Sequence, residues 1–341
     1  MIMKLQINIK KDILSNNQNG IHCAVFLAIT GHGSIFFLVV EKHGKSYAVM
    51  DYFVHEWKTK HKPFTWLRLT EASQKKLLNN NAAAFVDADI ARRFDLHLTV
   101  KGNQVFDNGE PMAKILALST FYSDKGVALF DNTYDLGYNI CLDEMNREKN
   151  EKKTFDINYA FVNQMENLVR STKEKMRIFL IGNTLEEASD IMCSFNFIPE
   201  DFGRFKIRKK RAIVDYIEPS KRYLSRRKGT VADLLAPNES TFTNKVNIDT
   251  TLVDKRRLIK PSYKIAFSNT EFYTVWDSKI VATSQNEKCP TIPMYAYLDL
   301  VFSPELRDSV IMTYHNRGFL FHNLITQKKF KKALELVKPK G

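Results

Sequence analysis

Apolar runs without polar alternation recur along the first two thirds of the chain: Ile35 to Val40, Thr65 to Leu69, Lys114 to Ser119, Tyr138 to Leu142 and Met176 to Ile181. Such runs predict strands covered on both faces. Stretches with helix-forming composition begin between them, near Lys45, Glu71, Asp156 and Leu185. Strand alternating with helix over residues 35 to 217 predicts an α/β domain built on a mainly parallel sheet. Leu96 to Phe106 predicts a hairpin, with a further turn at Asp107-Asn108-Gly109. A second hairpin is expected where Cys23 to Ile29 and Ile35 to Val40 flank Gly31-His32-Gly33, a nucleotide role for that glycine pair being the alternative.

Beyond Ile217 the texture changes. Pro219 interrupts the pattern, a basic helix-like stretch follows from Lys221, and Pro237-Asn238-Glu239-Ser240 marks a loop. Short runs at Tyr263 to Phe267, Phe272 to Trp276 and Lys279 to Thr283 predict consecutive antiparallel strands, followed by helices near Pro304 to Tyr314 and Gln327 to Val337. The expected organisation is therefore a first domain over 1–218, a basic linker over 219–255 and a small α+β domain over 256–341.

Composition narrows the setting. With 341 residues and 44% hydrophobic content, the chain has core enough for two domains. Its four cysteines show no Cys-x-x-Cys pair, which argues against a zinc site or disulfide framework and fits a reducing cytoplasm. The apolar stretch Cys23 to Val40 is broken by Thr30 to Ser34, too interrupted for a bilayer span, so neither a membrane partner nor a signal peptide is expected. The net charge of +13 is concentrated: Arg204 to Lys228 holds eleven Lys and Arg against Asp215 and Glu218. Such a strip suits a polyphosphate partner, since each neutralised phosphate releases counterions. An exposed basic linker is the other reading of the same charge run. Arg208, Lys209, Lys210, Arg211, Lys221, Arg222, Arg226, Arg227 and Lys228 are its candidate nucleic-acid contacts.

Two short motifs carry chemistry. Gly44-Lys45-Ser46 follows an apolar strand and opens a helix, so backbone N–H groups and the Lys45 ammonium would converge on the phosphates of ATP in a Walker A loop. Val39 stands where the standard loop has its first glycine, which requires a different backbone path through Glu41-Lys42-His43. About a hundred residues on, the strand Tyr138 to Leu142 ends in Asp143-Glu144, a Walker B pattern. Adjacent carboxylates there are costly unless a cation relieves them; Asp143, with Ser46, would hold Mg²⁺, and Glu144 would activate the attacking water. Arg170, after an amphipathic stretch, could stabilise a neighbouring subunit's γ-phosphate, and Asn183, past the Met176 strand, could sense that phosphate.

These residues resemble the small DNA-encapsidation ATPases of phi29-like, short-tailed Picovirinae bacteriophages. The resemblance is carried by Gly44-Lys45-Ser46-Tyr47, Arg68 placed 23 residues after Lys45, Val100-Lys101-Gly102, Leu118-Ser119, the block Asp143 to Lys149 and Gly182-Asn183. It implies an additional-strand, RecA-like P-loop core followed by a vestigial RNase-H-like domain without nuclease activity. It implies Lys45 and Ser46 as the phosphate-loop pair, Asp143 as metal ligand, Glu144 as catalytic glutamate and Arg170 as an arginine finger acting in trans. Arg68 is similar to a nucleotide-site arginine and Lys125 to a second trans-acting basic residue. The implied activity is ATP-driven packaging of double-stranded DNA by a ring, expected to be a pentamer. The ring would sit at the portal vertex of a prohead in the host cytoplasm, held through the portal, the capsid or a structural RNA ring. A helicase-like translocase and a non-hydrolysing nucleic-acid scaffold are the alternatives.

Overall fold

The computed structural model describes residues 34–39, 45–124, 138–146, 154–169, 176–182, 190–199, 202–216, 225, 228–231, 234, 250–283, 287–296 and 300–337. The chain divides into two compact units, Met1–Glu186 with Pro199–Val246, and Glu187–Ile198 with Asn247–Gly341. Residues 187–198, which the sequence reading keeps in the first domain, thus group with the second unit.

The first unit is built on a nine-stranded sheet in the order β3-β4-β5-β2-β6-β7-β1-β9-β8. Its strands are β1 (Ser34–Val39), β2 (Phe64–Arg68), β3 (Leu98–Lys101), β4 (Gln104–Asp107), β5 (Glu110–Ala117), β6 (Tyr138–Leu142), β7 (Met176–Gly182), β8 (Gly203–Ile207) and β9 (Ala212–Tyr216). The six strands from β5 to β9 in that order are mutually parallel, and antiparallel pairs close both edges. All five residues of β6 are buried, as a central strand of a parallel sheet requires.

Helix α1 (Lys45–Lys60) crosses one face of this sheet. It buries Val49, Met50, Phe53, Val54 and Trp57, a spacing of three and four that forms one apolar stripe. Phe53 meets Phe64 at 5.0 Å, Phe179 at 5.2 Å and Trp66 at 6.1 Å between ring centroids. Truncating it to Ala would remove about 3–5 kcal/mol. Helix α2 (Glu71–Ala82) starts on Thr70, whose side chain accepts from Ser73 N while Ser73 reciprocates in a capping box. Asn79 has ψ 152°, and Asn80 and Asn81 are left-handed, so the regular helix stops there. Asparagine tolerates that conformation better than most residues. Helix α3 (Ala88–Arg93) precedes the β3–β4 hairpin, and α4 (Ile157–Val169) follows β6.

The second unit carries a five-stranded sheet, β13-β10-β11-β12-β14, from β10 (Pro261–Ala266), β11 (Phe272–Trp276), β12 (Ile280–Ala282), β13 (Thr291–Pro293) and β14 (Leu320–Phe321). The first three form an antiparallel meander, β13 runs parallel to β10, and β14 runs parallel to β12. Its helices are α5 (Asp190–Ser194), α6 (Pro304–His315) and α7 (Leu324–Glu335). Ser303 and Asn323 cap α6 and α7 through their side chains. Phe330 on α7 lies under Tyr273, Phe267, Phe321 and Phe319, at 5.1 to 5.7 Å. Among the described residues, no helix is long and apolar enough to cross a membrane.

Candidate functional site

In an open parallel sheet, polar groups gather beyond the carboxyl ends of the strands, where connections leave in opposite directions. The connection through α1 carries the chain from β1 across β7 and β6 to β2, whereas β9 lies on the other side of β1. The candidate residues collect at that divide.

Val39, the last residue of β1, pairs in register with Gly182, the last of β7. Lys45, the first residue of α1, returns to the same point: its ammonium donates to the Gly182 carbonyl at 2.5 Å, and the residue as a whole is only 3% exposed. Beside it, Ser46 Oγ donates to Asp143 Oδ1 at 2.9 Å. The acid loop is pinned to both neighbouring strands, since Asp143 N donates to Leu67 O at 3.0 Å and Met145 N to Ile181 O at 2.8 Å. Arg68, at the end of β2, donates to Asp143 Oδ2 at 2.8 Å and also to Glu144 Oε2. Glu144 N donates to Asp143 Oδ1 at 3.1 Å. Asp143 is 7% exposed, so its charge depends on these donors far more than a surface carboxylate would.

Two local features show how tightly this loop is held. Glu144 adopts φ +56°, an unfavourable value for a side chain with a Cβ. A Cβ placed on Gly182 would come within 2.7 Å of Met145 Cε, so glycine lets the acid loop lie against the tip of β7. Below the carboxylates, burial first and the Asp143 charge second push the Cys141 thiol well above its ordinary range, keeping it protonated. Tyr47, next to Ser46, donates to Asp89 at 2.7 Å and receives Arg93 at 3.1 Å. Burial and the Asp89 bond raise its phenol to about 12. Tyr47 thereby fastens the first turn of α1 to α3.

The structure therefore brings together Lys45, Ser46, Arg68, Asp143 and Glu144, drawn from three separate segments. Gly44, Lys125, Arg170 and Asn183 lie outside the described residues, as do Lys221, Arg222, Arg226 and Arg227. Lys228 is exposed. Arg208, Lys209 and Lys210 form the short turn between β8 and β9, closed by Arg211 at φ +49°. Arg208, Lys209 and Arg211 are exposed. Because β9 runs parallel to β1, this turn lies at the end of the sheet opposite the Lys45 cluster. The hairpin below it is clamped by Arg204, which forks onto Asp215 at 2.7 and 2.5 Å. Sequence reasoning missed that these basic residues sit on a hairpin; the alternation of Ala212, Val214 and Tyr216 was the available signal.

Fold and site together define an open α/β protein with a lysine–serine pair facing an acidic pair at its carboxyl-end crevice. The podovirus DNA encapsidation protein (Gp16) family matches residues 31–279, and the chain belongs to that family. Its fold is similar to that of the Phi-28 gp11 DNA packaging motor, with TM-score 0.64 and 16% identity over 90% of this chain and 95% of that one. It is also similar to the bacteriophage Phi-29 viral genome packaging motor assembly, with TM-score 0.59 and 20% identity over 89% of this chain and 95% of that one. No curated protein matches the chain.

Proposed function

We propose that this DNA encapsidation protein is a motor ATPase that couples ATP hydrolysis to movement of double-stranded DNA into a prohead. The observation that carries the reading is the convergence of Lys45, Ser46, Arg68, Asp143 and Glu144 at one sheet crevice. The placement of β7 between β1 and β6 supports an additional-strand P-loop core.

The donor set fits magnesium. Ser46 Oγ and Asp143 are hard oxygen ligands already in contact, and Arg68 supplies positive charge to the same carboxylate. When bound, the ion neutralises charge developing on the transferring phosphoryl group. Lys45 would leave the Gly182 carbonyl for the β- and γ-phosphates. Glu144 would orient the attacking water and accept its proton, which requires its release from Arg68. Asn183 would sense the γ-phosphate, while Arg170 and Lys125 of the adjoining subunit would stabilise its charge. A ring, read as a pentamer at the portal vertex in the host cytoplasm, supplies that neighbour. The Arg208 to Lys228 strip would grip DNA or a prohead RNA.

In the second unit, the meander with a parallel strand beside β10 supports an RNase-H-like binding domain. Asp277 accepts from Lys260 N at 3.3 Å and Asp308 pairs with Arg307 at 2.7 Å, so these carboxylates serve their own neighbours. This supports attachment to the portal or capsid over cleavage.

The test is ATP hydrolysis with DNA and proheads present. Lys45→Ala should lose about 100-fold or more, the scale of removing one preorganised charge-stabilising group. Equal rates for wild type and variant overturn the reading. In mixed rings, inactive Arg170→Ala and Glu144→Gln subunits should restore partial activity, and no recovery in assembled rings refutes action in trans.

A further inference from the structure

The acid loop holds a side chain to which the mechanism above gives no task. Asn146 lies two residues beyond Glu144; both its Oδ1 and its Nδ2 are closed to solvent, and among the described residues neither has a hydrogen-bond partner. The amide lies against the tip of β7: a Cβ on Gly182 would be 3.1 Å from Nδ2. Arg68 Nε, in the same cluster, is also buried and unbonded. Leaving buried polar groups unmatched is costly, whereas an apolar side chain of equal shape would carry no such cost. The amide therefore has a use only if a partner arrives.

That partner must accept from Nδ2 and donate to Oδ1. A phosphate oxygen only accepts and an ammonium only donates; a water molecule does both. We propose that Asn146 is a positioning residue that holds the attacking water for Glu144 once Glu144 leaves Arg68. This rests on the ATPase reading.

Asn146→Leu and Asn146→Ala in the full chain test it through three measurements: melting without nucleotide, binding of a fluorescent Mg-ATP analogue, and single-turnover hydrolysis in the DNA-loaded motor. Asn146→Leu should melt at or above the wild-type temperature, bind within about twofold and hydrolyse roughly 10- to 100-fold more slowly, the low end of general acid–base effects. Asn146→Ala should show the same split between binding and hydrolysis. Hydrolysis within twofold of wild type in either variant overturns the inference, and so does a lower melting temperature in Asn146→Leu, which marks a structural role. Nucleotide binding by wild type that Lys45→Ala abolishes measures the ATPase reading separately. Its absence overturns both.

Discussion

At the end of the sheet opposite the Lys45 cluster, Glu56 near the end of α1 is the shared partner of three cations. It accepts from Lys60 at 2.6 Å and Lys62 at 3.4 Å, and Arg177 at the start of β7 lies 3.6 Å away. Burial first and the Arg177 charge second push Lys62 down to about 8, against the opposing pull of Glu56. Keeping that lysine charged in the fold at pH 7 costs about 3 kcal/mol relative to the unfolded chain, at roughly 1.4 kcal/mol per pH unit. Glu56→Gln removes the carboxylate that lies 3.4 Å from it. Lys62 then sheds its proton, and its cost stops growing near about 5 kcal/mol. The lysine's share of the loss is thus about 1.5 kcal/mol, and removing the carboxylate from Lys60 and Arg177 brings the total to about 2–4 kcal/mol.

The pH dependence gives the sharper test. The folded Lys62 binds fewer protons than the unfolded one between about pH 8 and 10.5, so wild-type stability rises with pH across that window. In Glu56→Gln the rise begins at lower pH, and the gap between the two proteins should narrow by about 1.5 kcal/mol from pH 7 to 9. Towards acid the gap should also close. Lys60, Lys62 and Arg177 outweigh burial and hold Glu56 below its usual range, so its contribution is lost as pH falls through that lowered value. Urea unfolding in a Trp276→Phe background, where Trp57 and Trp66 of the first unit give the fluorescence, measures the gap. A difference below about 1 kcal/mol, or one unchanged between pH 7 and 9, refutes the argument.

Two further perturbations probe the crevice and the basic turn. Arg68→Ala leaves the largely buried Asp143 without its guanidinium and should lower stability by about 1–3 kcal/mol, with added Mg²⁺ restoring part of the loss. A melting temperature equal to wild type with and without Mg²⁺ would contradict the assigned role. Replacing Arg208, Lys209 and Arg211 with Ser, Ser and Asn should flatten the salt dependence of duplex binding by up to about 2.7 in log–log slope, roughly 0.9 for each phosphate no longer neutralised. Asn suits position 211 because the backbone is left-handed there. An unchanged slope in fluorescence anisotropy rules this turn out as the proposed DNA contact.

Elements whose identity depends on local pattern were readable in the sequence. Tyr138 to Leu142 is uniformly apolar apart from Asn139 and forms a fully buried strand with those bounds. The Asp107-Asn108-Gly109 turn follows from residues that accept positive φ, seen at +51° and +83° for the last two. The β8–β9 hairpin was obscured because its edge strand turns Arg204 and Lys206 outward and its turn is entirely basic, so charge masked the strand period. Residues 190–194 have helical character wherever they pack, and only long-range burial of Ile191, Met192 and Cys193 assigns them to the second unit.

The same distinction separates the legible part of the site from the rest. Lys45 and Ser46 open a helix after a strand and Asp143 and Glu144 follow the end of another, so their types and positions in the local pattern were enough to suggest a phosphate and a cation. Gly182 and Asn146 matter because a strand tip and a loop 36 residues apart in sequence are pressed together, and no period or motif encodes that approach. Helix α1 joins both kinds of information. Its first residue is buried against Gly182, its middle is fixed by the Val49 to Trp57 seam, and Glu56 near its far end is held by charges from β7 and the loop before β2. A rigid helix fixed at both ends leaves Lys45 little freedom along its axis. On this reading, Glu56→Gln in a chain that stays folded should weaken nucleotide binding less than hydrolysis, because a small displacement of an aligned group costs more in the transition state than in the ground state.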